Sequence, residues 1–127
     1  MVTIKSYTDL EQSKKLAKIL PLESADMYFD GFGRLPQGYA YTLISPNSFE
    51  YDYPCWSLAA LLEQLPYELC DDDGYSTYLQ INKDDDMYQL EYIDPSEILE
   101  SIETDRYEHF VDACVAMVEK LNEHKML

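Results

Sequence analysis

The chain predicts an α+β fold in which a small antiparallel sheet packs with helices. Three observations carry that expectation. Two runs of period-two alternation, 76–82 and 87–93, flank an aspartate-rich turn; an apolar stripe at helical spacing lies near the C-terminus; and a strongly apolar segment is framed by Pro54 and Pro66. At 127 residues with 46% hydrophobic content, the chain is expected to be one acidic globular domain, 1–127, with a real core.

The hairpin rests on alternation. Thr77, Leu79 and Ile81 oppose Ser76, Tyr78 and Gln80, and Tyr88, Leu90 and Tyr92 oppose Met87, Gln89 and Glu91. Asn82–Asp86 is then the loop, because aspartate bonds nearby amides and tolerates unusual φ. A third strand is expected at 39–45, "YAYTLIS", which is β-branched and aromatic and is closed by Pro46 and Asn47.

Three main helices are expected. The first spans 9–20: Thr8 and Glu11 have the spacing of a capping box, and Pro21 stops the helix. The second, 55–65, is apolar around nearly its whole circumference and should be a buried centre of the fold. The third, 106–122, carries Phe110, Ala113, Cys114, Met117, Val118 and Leu121 on one face. A short helix near 95–103 is expected too. Pro95 suits its first turn, Ile98, Leu99 and Ile102 face inward, and Glu97, Glu100 and Glu103 lie outward.

Charge narrows the partners. The formal net charge is −16, which argues against direct contact with nucleic acid or an anionic membrane. Eleven acids lie between Asp84 and Asp112, against Arg106 alone. Such a block is ordinarily a solvated face, and it is also a surface that a basic partner reads. No apolar run approaches the ~18 residues of a membrane span, the N-terminus has no signal-peptide pattern, and the three cysteines form no C-x-x-C pair. A cytoplasmic setting is the expectation.

No residue set in the sequence nominates a catalytic constellation. An EF-hand loop with Gly74 at its sixth position needs oxygen ligands at 69, 71, 73 and 80. The chain has Leu69, Asp71, Asp73 and Gln80, so the first and last fail. His109 pairs in helical register only with Asp105 and Asp112, which an ordinary charged helix surface explains. Cys55 and Cys114 fall on apolar faces, and Cys70 has negative neighbours that oppose thiolate chemistry. "DGFGR" is neither a dinucleotide fingerprint nor a P-loop. No enzyme, metal site or cofactor is expected.

The tyrosines weigh the other way. There are twelve, concentrated in the strand and loop half. Most such rings edge a small core, but tyrosine is also enriched where proteins dock, and acidic rims steer a basic partner. The candidate partner surface is Tyr78, Tyr88 and Tyr92 with Asp84, Asp85, Asp86, Glu97, Glu100 and Glu103.

Three segments, "LPLESADM", "YPCWSLAALLEQLP" and "DACVAMVEKLNE", resemble stretches of small uncharacterised proteins of gut bacteria and their phages and mobile elements. That family has no assigned activity, so no residue role follows. What the resemblance implies is context: a bacterial or phage accessory protein. Two functions of different class stand: a non-enzymatic module that docks a protein partner, and an acidic mimic of nucleic acid that occupies a basic nucleic-acid-binding protein. A divalent-metal-dependent enzyme ranks third.

Overall fold

The computed structural model describes residues 4–29 and 53–127, and the strand expected at 39–45 lies outside them. The fold is α+β, with three α-helices and two antiparallel sheets among the described residues. The chain divides into two units, Met1–Gln64 and Leu65–Leu127.

The first unit contains α1 (Leu10–Leu16), a 3-10 turn (Leu22–Ser24), strands β1 (Met27–Phe29) and β2 (Tyr53–Cys55), and α2 (Leu58–Gln64). Helix α1 starts one residue later than the expected 9–20 and ends four residues sooner, at Leu16, where the Lys18 and Ile19 amides turn to carbonyls three residues back. Its capping box is Asp9 with Gln12: the Asp9 carboxylate accepts the Gln12 amide at 2.8 Å, and the Gln12 side chain accepts the Asp9 amide. Thr8 is not the cap because its hydroxyl is committed elsewhere. Fully buried, it accepts the Trp56 amide at 3.1 Å and lies 2.8 Å from Ser13 Oγ. The Thr8 amide in turn donates to the Trp56 carbonyl.

Tertiary pairing also shortens α2 against the expected 55–65. Residues 53–55 are drawn into strand pairing, with Met27 opposite Cys55 and Phe29 opposite Tyr53. Ser57 then caps α2, accepting the Ala60 amide, while the Asp26 carboxylate accepts both the amide and the hydroxyl of Ser57. Trp56 is fully buried and its indole donates to Ser24 Oγ at 2.9 Å. Leu61 is buried, but Ala59 is exposed, so α2 is not enclosed all round as its composition suggested.

The second unit is a four-stranded sheet in the order β3-β4-β5-β6 with helix α3 (Phe110–Glu123). Its strands are β3 (Glu68–Cys70), β4 (Ser76–Asp84), β5 (Met87–Ile93) and β6 (Ile102–Glu103). The predicted hairpin is present, and β4 runs two residues further than expected, to Asp84 opposite Met87. The loop is therefore Asp85-Asp86 alone, with φ of +48° and +63°, the signs a two-residue type I′ turn requires. At the other end of β4, Asp71 Oδ1 accepts the amides of Asp73 and Tyr75 and Gly74 has φ +85°, so the first triplet closes the β3–β4 turn.

The helix expected near 95–103 does not form. The Asp94 carboxylate accepts the amides of Ser96, Ile98 and Leu99 and the Ser96 hydroxyl, at 2.6–3.1 Å. An amide bonded to that side chain is withdrawn from a helical ladder, and Glu97 sits at φ +59°. Ile98 is 60% exposed rather than inward. Residues 102–103 then pair with β5 as β6.

Extended pairing also delays α3, expected at 106, until Phe110. Tyr107 exchanges two backbone hydrogen bonds with Tyr88, holding the chain alongside β5. From Glu91 to Tyr88 is three steps on β5, whereas from Glu103 to Tyr107 is four, so the returning chain carries one extra residue. Thr104 spans this bulge: its hydroxyl accepts the Leu90 amide and its amide donates to the Leu90 carbonyl. Helix α3 packs on β5 through the stripe read from sequence, widened by Val111 and Val115.

Candidate functional site

The side chains of the second unit's sheet separate into two faces. Pairing of Tyr78 with Ile93 and Leu79 with Tyr92 puts Leu79, Leu90 and Tyr92 on the face toward α3, and Tyr78, Gln80, Glu91 and Ile93 on the other. The three tyrosines singled out from sequence therefore do not share a surface. Tyr92 is fully buried, and its hydroxyl donates to the Pro66 carbonyl at 2.5 Å. Burial raises its phenol well above the ordinary tyrosine range. Tyr88 stacks on Phe110 with centroids 5.0 Å apart and carries the Lys83 ammonium over its ring. Both rings belong to packing.

Tyr78 alone of the three borders an open cleft, and its neighbour there is Tyr67. The two rings lie 5.7 Å apart, tilted by 58°, and Tyr67 is 73% exposed. With Leu79, Gln80, Ile93 and Pro95 they line a hollow of about 340 Å³. A second hollow of about 440 Å³ shares Ile93 and Pro95 and continues past Asp94, Glu97, Leu99 and Ser101. Sequence reasoning missed Tyr67. It lies in the connector between α2 and a three-residue strand, where no periodicity marks it.

Acids surround this cleft. Glu68 pairs across the strands with Tyr78, and its charge and hydrogen bond raise the Tyr78 phenol above its ordinary value. Glu91 and Glu103 stand directly opposite each other on β5 and β6, a like-charge pair that costs stability. Glu91 accepts from Asn82 Nδ2 at 2.8 Å, and Asn82 accepts from Gln80, giving a polar ladder beside the apolar hollow.

The other acids named from sequence are dispersed. Asp84 pairs with Arg106 at 3.3 Å, Asp85 and Asp86 form the turn, and Glu97, Glu100 and Glu103 are exposed on separate stretches of loop and strand instead of one helix face. The two aspartate triplets sit at opposite ends of β4, about 26 Å apart at strand rise. Among the described residues no three His, Cys, Asp or Glu side chains converge as a metal-ligating group.

The thiols offer little chemistry. Cys55 and Cys114 are fully buried, and burial pushes the Cys114 thiol up to about 12 and raises Cys55. Cys70 is exposed and lies 3.1 Å from Ser76 Oγ. No helix among the described residues is long and apolar enough to cross a membrane. Comparisons with protein-family models, curated proteins and solved structures found no match to this chain.

Proposed function

We propose that the protein is a non-enzymatic interaction module that docks a protein partner in the Tyr67–Tyr78 cleft. The single observation behind this reading is a tyrosine pair, with Tyr67 exposed, over a largely apolar hollow, with Glu68 beside Tyr78 and Glu97 on the adjoining second hollow. Tyrosine gives large contact area for little conformational entropy, and a carboxylate rim steers basic partners. An acidic nucleic-acid mimic would present an ordered row of carboxylates, but the Asp94 turn stands where a helix would align Glu97, Glu100 and Glu103. A role as a bacterial or phage accessory protein, as the resemblance implies, is compatible with a docking module.

The test compares two surfaces on one partner captured from a bacterial lysate. Tyr67→Ala should raise the dissociation rate at least tenfold if the cleft carries the affinity. The double change Glu100→Gln and Glu103→Gln, at residues that line neither hollow, should alter the association rate only modestly. A captured basic nucleic-acid-binding protein, released at moderate salt and indifferent to Tyr67→Ala, overturns the reading in favour of the mimic.

A further inference from the structure

The cleft has the elements of a cation site. Two tyrosine rings in contact, tilted by 58° with centroids 5.7 Å apart, border the hollow, and Glu68 stands beside Tyr78. Ring faces carry negative quadrupole density, which attracts an ammonium or guanidinium within about 6 Å of the centroid. The molecule already uses this contact elsewhere. Lys14 sits 5.0 Å from the Tyr53 centroid, and Lys83 sits 5.5 Å from that of Tyr88. At Tyr67 and Tyr78 the rings are present, but among the described residues no lysine, arginine or histidine lines either hollow.

We propose that the hollow lined by Tyr67 and Tyr78 binds one lysine or arginine side chain against the ring surfaces that face it, carried on a short apolar segment of the protein partner. This deepens the docking reading and rests on it. Charge complementarity selects the occupant: a chain of net charge −16 disfavours an anion, and Glu68 beside Tyr78 and the exposed Glu97 on the second hollow supply the counter-charge. Apolar neighbours of the cation seat along Ile93, Pro95 and Leu99, which run from the first hollow into the second. At about 340 Å³ the first hollow lies near the lower end of ligand pockets, roughly 300–1,000 Å³, as suits one side chain.

The probe is acetyl-Leu-Arg-Leu-amide, with citrulline in place of arginine as its neutral isostere. Both are titrated into protein with labelled tyrosine rings and followed by NMR. The arginine peptide should shift the Tyr67 and Tyr78 rings, and the citrulline peptide should bind about tenfold more weakly. Tyr67→Phe should leave arginine binding unchanged, whereas Tyr67→Leu, apolar but without a π face, should weaken it about three- to fivefold. Tyr67 is 73% exposed, so the leucine variant keeps its fold, and an unchanged thermal midpoint checks this. Equal binding of the two peptides overturns the cation site while leaving apolar docking intact. No ring shift with either peptide also overturns it, even if a captured partner still depends on Tyr67.

Discussion

The two-residue turn between β4 and β5 offers a sharp test of how the aspartates are used. Asp85 and Asp86 hold φ of +48° and +63° in the two-residue loop between Asp84 and Met87. For an L-residue the left-handed region costs roughly 1–2 kcal/mol, somewhat less for aspartate, whose short side chain bonds locally. Asn-Gly is the pair best suited to a type I′ turn, so Asp85→Asn with Asp86→Gly should relieve strain at both positions. Glycine returns roughly 0.5–1 kcal/mol through its freedom in the unfolded chain, leaving a net gain of about 1 kcal/mol. For a protein of this size that is about 3–6 °C in thermal midpoint. The melt is followed by circular dichroism at low and high salt, because removing two neighbouring carboxylates also relieves repulsion, which salt screens. The backbone contribution should survive at high salt. Asp86→Pro, with φ locked near −65°, should instead lower the midpoint by more than the Asn-Gly pair raises it. A midpoint at high salt equal to or below that of the unaltered chain would refute the turn assignment.

Two further outcomes test the polar interior. Thr8→Val keeps the shape of a fully buried residue but removes the acceptor of the Trp56 amide and the partner of Ser13. It should cost about 1–3 kcal/mol in urea denaturation, with Thr8→Ser retaining most of the stability. Asp94 accepts hydrogen bonds from Ser96, Leu99 and Ile98, which hold its carboxyl below the usual aspartate range. A depressed native value means its contribution is complete above the unfolded value near 4 and fades as pH falls through the native one. Thermal midpoints between about pH 2 and 7 should therefore drop on the acid side, and Asp94→Asn should flatten that limb while lowering the neutral-pH midpoint. An unchanged acid limb in the variant would show that other carboxylates set it.

What the sequence by itself determined is what local pattern encodes. Alternation in 76–82 and 87–93 located the hairpin, because a half-buried strand must place its apolar residues at period two. The stripe from Phe110 to Leu121 located α3 for the same reason at period 3.6. Aspartates as turn formers followed from their short acceptor side chains. Tertiary structure decided the rest. Residues 95–107 have helical start signals, yet the Asp94 carboxylate and the edge of β5 offer their amides other partners, and long-range pairing outweighs a weak local propensity. The surface was decided the same way. Register sends Tyr92 into the core and leaves Tyr78 outside, and only the pairing of β3 with β4 brings Tyr67 beside it. A one-residue change of register exchanges the two faces, and no property of a tyrosine along the chain reveals which face it will take.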